Sequence, residues 1–170
     1  MVAIVNDGAC RFLLSLALVA VVTGLPACSG QQKGRKSNAT REQLKPVQVQ
    51  LTVGLPFDSD GNGYPDTMQA VVYLFPDSRF SDQPVRDEGT FDFVMNDPTG
   101  ALAARWVFPP EIVAQAERRM PAGPAYSMYL RLAEGKDVMR PTPMDVRVQF
   151  VSVTGTQVRS SGRSSVRLGG

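Results

Sequence analysis

VQVQLTVGL, residues 47–55, decides how this chain folds. Val47, Val49, Leu51, Val53 and Leu55 alternate with Gln48, Gln50, Thr52 and Gly54. A period of two places all the branched apolar side chains on one face of an extended strand, whereas a helix would scatter them around its circumference. The segment therefore predicts a strand with one buried side, and it needs partners to cover that side.

Partners follow along the chain. Strand-like stretches lie at 67–75, 90–95, 101–108, 126–133 and 145–153, with a weaker pair inside 156–168. Phe91, Phe93 and Met95 share a face, as do Val146, Val148 and Phe150. Short strands punctuated by Gly, Pro, Asp and Asn argue for an all-β fold, an antiparallel β-sandwich of about seven strands, Ig-like, transthyretin-like or C2-like in outline. PPEIVAQAERRM, residues 109–120, interrupts them as one short crossover helix. Pro109 and Pro110 open it, Glu111 sits in its first turn, Arg118 and Arg119 in its last, and Pro121 and Gly123 stop it. Trp106, Phe108, Tyr126 and Tyr129 flank that crossing and are expected to fill the core rather than to form a ligand patch.

The N-terminal region has another character. Arg11 precedes an apolar run, FLLSLALVAVV at 12–22, whose 11 residues are too few to span a bilayer but suit the core of a signal peptide. The Leu25-Pro26-Ala27-Cys28 tetrapeptide that follows resembles the lipobox of bacterial lipoproteins. The resemblance implies a signal peptide over 1–27, cleavage before Cys28 and acylation of its sulfur; an ordinary signal peptide cut nearby is the alternative. Residues 28–46 then form a polar, basic tether, and 47–170 the sandwich domain. Two or more acyl chains hold a protein on a membrane where one would not. The expected address is the cell envelope, anchored to membrane by the N-terminal lipid, with Ser29 after the Cys favouring the periplasmic side of the outer membrane. The chain holds two Cys, Cys10 and Cys28, so a lipidated Cys28 leaves none for a disulfide.

Between the first two predicted strands lies DSDGNGYPDTMQ, residues 58–69. Calcium takes six to eight oxygen ligands, so a binding loop must bring carboxylates and carbonyls to one point. The stretch resembles the twelve-residue calcium loop of EF-hands and its dockerin and thrombospondin type-3 relatives. The resemblance implies Ca²⁺ ligation by Asp58, Asp60 and Asn62 at positions one, three and five, by the Tyr64 carbonyl at seven, Asp66 at nine and Gln69 at twelve, with Gly63 supplying the turn at six. Gln69 stands where a bidentate Glu belongs, so affinity should fall in the range of about 10⁻⁴ to 10⁻³ M. Pro65 lacks the backbone N–H that couples paired EF-hands, and both flanks read as strands. The competing reading is a plain Gly-rich turn with acidic decoration.

A second acidic stretch runs over 77–97. Were its loop to meet the first at one end of the sandwich, the arrangement would be similar to a C2 domain, a calcium-dependent binder of membrane or glycan. Residues 47–155 carry nine basic against fourteen acidic side chains, although the whole chain is +2, so a nucleic-acid partner is not expected. The chain has no His, which removes the commonest general base and most zinc sites. A carboxylate pair could still hydrolyse a glycoside. No catalytic residue is assigned, and the expected role is that of a non-enzymatic interaction or structural module.

Overall fold

The computed structural model describes residues 44–170. The signal peptide over 1–27, Cys28 and all but the last residues of the tether lie outside them.

The described residues form an all-β sandwich with one short helix. In chain order the elements are β1 (Gln48–Val53), β2 (Thr67–Phe75), β3 (Gly89–Asn96), β4 (Leu102–Phe108), α1 (Pro110–Ala116), β5 (Glu117–Met120), β6 (Gly123–Arg131), β7 (Thr142–Ser152), β8 (Gln157–Arg159) and β9 (Ser164–Leu168). One sheet has the order β1-β2-β6-β5, and the other runs β4-β3-β7 with β8 and β9 both paired to β7. All ladders within the sheets are antiparallel.

The period of two places the core as expected. Val49, Met68, Ala70, Val72 and Leu74 from one sheet face Phe91, Phe93, Met95, Val146, Val148 and Phe150 from the other, all of them buried. Rings interlock through the middle: Phe91 lies 5.0 Å from Phe150 and reaches across to Tyr126 at 5.2 Å. Phe93 meets the edge of Phe108 at 5.7 Å. Such clusters dominate the stability of a chain whose two cysteines lie elsewhere. On one side the sheets are joined by the Ser164 hydroxyl donating to the Leu51 carbonyl at 3.0 Å and by a parallel bridge between Val49 and Ser160. On the other side α1 fills the gap, burying Val113 and Ala116.

Three expectations are corrected. The helix ends at Ala116, and Arg118 and Arg119 belong to β5, paired with Ala125 and Pro124. Pro121 and Gly123 close a hairpin instead of stopping a helix, since ladder bonds to β6 satisfy the backbone that a last helical turn would leave open. Tyr129 is not a core residue: it is 60% exposed on the outward face of β6, its ring against Phe57 at 6.2 Å. Among the described residues the strands number nine, because β5 was hidden in the helical pattern, while the expected C-terminal pair is two pieces of one edge, interrupted at 160–163 and both laid along β7.

Candidate calcium loop

The β1–β2 connection is a hairpin with a pinched neck. Beyond Val53 the ladder continues through Gly54 N–H to the Gln69 carbonyl and Phe57 N–H to the Thr67 carbonyl, both 2.8 Å, and Asp66 N–H returns to the Phe57 carbonyl at 3.1 Å. Residues 58–65 are thereby held as a closed loop at one end of the sandwich.

Inside it, short polar side chains fold over their own backbone. The Asp58 carboxylate accepts from Gly61 and Gly63 N–H, each at 2.7 Å, and from Asp60 N–H at 3.2 Å. Asp60 accepts from Asn62 N–H at 3.1 Å, and the Asn62 side-chain oxygen from Tyr64 N–H at 2.8 Å. This is the local competition by which Asp and Asn favour turns. Gly61 and Gly63 have φ of +79° and +89°, the left-handed region open to glycine at no steric cost. The Gly63 N–H is the main reason the Asp58 carboxyl lies below its ordinary range, so Asp58 stays charged at neutral pH.

Two of the expected ligands are placed elsewhere. Asp66 is turned inward and 3% exposed, where it accepts from Ser59 N–H and Ser59 Oγ at 2.9 Å each and from Arg131 Nε at 3.1 Å. Burial pushes its carboxyl up, but the bonds from Ser59, Thr67 and Arg131 outweigh this and hold it down at about 2. Gln69 lies on the outward face of β2, where its amide donates to Ser127 Oγ at 2.8 Å. Asp66 fastens the loop to the sheet, and Gln69 braces the sheet itself.

One residue was missed. Asp137, from the β6–β7 connection, accepts from the Asn62 amide at 3.0 Å. A contact across 75 residues leaves no trace in local spacing; the only clue was that Gln69 leaves the loop one acid short. The donors fit calcium in kind, being hard oxygens of Asp58, Asp60 and Asn62 with the Tyr64 carbonyl in sequence behind them. They fall short in number, and among the described residues no three carboxylates stand together as a metal-holding group.

The second acidic stretch does not meet this loop. Its residues 76–88 join the far end of β2 to β3, so nine strand residues, roughly 25–30 Å, separate the two. Asp97 does return to the near end, but its carboxylate closes its own turn on Thr99 and Ala101. A C2-like cup fed by both stretches is therefore not formed. The far end holds a cleft of about 1110 Å³ where Asp87, Glu88 and Glu117 meet Tyr126, Val113 and Leu44. Two of its acids are engaged: Glu117 pairs with Arg86 at 2.6 Å and Asp87 accepts from Glu88 N–H.

No protein family, curated protein or solved structure matches this chain.

Proposed function

We propose that this protein is a non-enzymatic lipoprotein of the cell envelope: a β-sandwich interaction or structural module, tethered to membrane through Cys28, whose β1–β2 loop takes Ca²⁺ weakly. The observation that carries the calcium reading is the nest of Asp58, Asp60 and Asn62, whose side-chain oxygens alternate along a glycine-turned loop. Asp58, Asp60, Asn62 and the Tyr64 carbonyl would hold the ion, and Asp137 stands close enough to Asn62 to join them. Bound there, calcium would neutralise the loop's carboxylates and stiffen a connection that no disulfide secures. The module reading is supported by the lack of His and by the pairing of the cleft acid Glu117 with Arg86.

Calorimetry and thermal melting with Ca²⁺ and with EDTA test the metal. With a dissociation constant of about 1 mM and about 10 mM Ca²⁺, the folded state gains about 1.4 kcal/mol. For a domain of this size that raises the melting temperature by about 5 °C. Superimposable melts, with no heat of binding, refute it. The anchor is tested separately: Cys28→Ala should move the protein to the soluble fraction in a high-salt wash, and retention there counts against lipidation.

A further inference from the structure

The two outward faces of the sandwich differ in chemistry. Neither QVQLTV of β1 nor TMQAVVYLF of β2 contains a charged residue, so the β1–β2 half of the four-stranded face shows amides, hydroxyls and rings, and its charges enter only at Arg131 of β6 and on β5. The five-stranded face is arginine-rich. Val94 on β3 pairs with Arg105 of β4 on one side and Arg147 of β7 on the other. Two strand spacings set these arginines about 10 Å apart. Arg159 stands opposite Gln149 and Arg167 opposite Pro143 on the same outer row, and Arg163 reaches Asp145 at 3.1 Å.

All five arginines are exposed, and among the described residues only two carboxylates share the strands of this face with them. Asp92 binds Arg105 through two bonds, of 2.8 and 2.9 Å, and Asp145 binds Arg163. Arg159 donates to the neutral Gln149 at 3.0 Å. Arg147 and Arg167 make no side-chain bond among the described residues. The face thus carries an unneutralised positive field on a domain that is acidic over 47–155. Its cations are all Arg, whose planar fork matches phosphate oxygens in pairs, whereas Lys offers only a point charge.

We propose that the outer face of the five-stranded sheet docks on anionic phospholipid, with Arg147 and Arg167 as its free phosphate contacts. This rests on the envelope-anchor reading, because a tether at Cys28 keeps the domain beside lipid phosphates. Arginines drawn from four neighbouring strands can meet a membrane plane together, and electrostatic attraction adds across them. The domain then lies on the membrane with its four-stranded face turned outward.

The test uses residues 28–170, the chain left by signal-peptide cleavage, carrying Cys28→Ala and sedimented with vesicles of equal parts phosphatidylglycerol and phosphatidylcholine, and with phosphatidylcholine alone. The expected result is a salt-sensitive preference for the anionic vesicles. Arg147→Gln/Arg167→Gln lowers that binding about 30-fold, about fivefold for each charge brought to the surface. Arg118→Gln/Arg119→Gln, the same charge change on the edge strand β5, stays within about threefold of the parent. Equal binding to both vesicles, or equal loss in both variants, overturns the proposal. So does short duplex DNA displacing the anionic vesicles at matched phosphate, which would assign the face to nucleic acid. The fractionation of Cys28→Ala reports on the anchor and leaves this comparison untouched.

Discussion

Replacing Asp66 by Asn tests whether this residue is a fastener or a metal ligand. Its side chain is 4% exposed, so its bonds to Ser59 operate away from bulk water, while its partner Arg131 is 58% exposed and contributes the weaker, screened share. The carboxyl is held at about 2 in the folded chain against 3.8 as its ordinary value. That difference corresponds to about 2 kcal/mol favouring the folded, ionised form. The folded value lies below the unfolded one, so this contribution is complete above pH 3.8, declines as pH falls and is gone below about 2. Urea denaturation between about pH 5 and pH 2 measures it. Asp58, Asp77 and Asp97 are also depressed and titrate nearby, so the informative quantity is parent minus Asp66→Asn. That difference should shrink by about 2 kcal/mol across the window. Parallel stability curves would refute the fastening role. At neutral pH the variant should still respond to Ca²⁺; loss of that response would return Asp66 to the ligand set.

Asp58→Asn removes the carboxylate on which three N–H groups converge, and should abolish calcium-dependent melting, as read by calorimetry with and without EDTA. At Gly89, an added methyl would stand 2.3 Å from the Val151 carbonyl and 2.6 Å from the Phe150 ring. Gly89→Ala should cost about 3 kcal/mol in urea denaturation, since backbone and a packed ring must both shift. Tyr126→Phe removes a hydroxyl that donates to the Asp87 carbonyl and accepts its N–H. It should cost about 1–2 kcal/mol, while Tyr129→Ala on the outward face costs about 0.5 kcal/mol, both by chemical denaturation.

Local periodicity carried the sandwich because the signal and the cause coincide: Val49, Phe91 and Val148 alternate with polar neighbours for the reason that one side of each strand is buried. Residues 117–120 defeated that logic. ERRM continues a helical pattern from Pro110, and only its pairing with GPAY of β6, across the two-residue turn Pro121-Ala122, makes it extended. Tyr129 was misplaced for a related reason, since alternation fixes which residues share a face but not which face is inward when both carry rings. In the loop, the turn made by Asp58, Asp60 and Asn62 was legible because their oxygens bond to N–H groups two to five residues away. Asp66 fits the same spacing, yet Ser59 and Arg131 draw it inward, and Arg131 comes from β6. Asp137 from the middle of the β6–β7 connection and Arg131 from the end of β6 both reach the loop, one toward Asn62 and one toward Asp66. The arginine face belongs with them. Counting charge over 47–155 gave an acidic domain, but Arg159, Arg163 and Arg167 lie beyond that window and fold back along β7 beside Arg147. Net charge is a sum over sequence, whereas a surface field is set by which strands the topology makes neighbours. A domain acidic over 47–155 can therefore present a basic face, and the salt dependence of vesicle binding distinguishes the two descriptions.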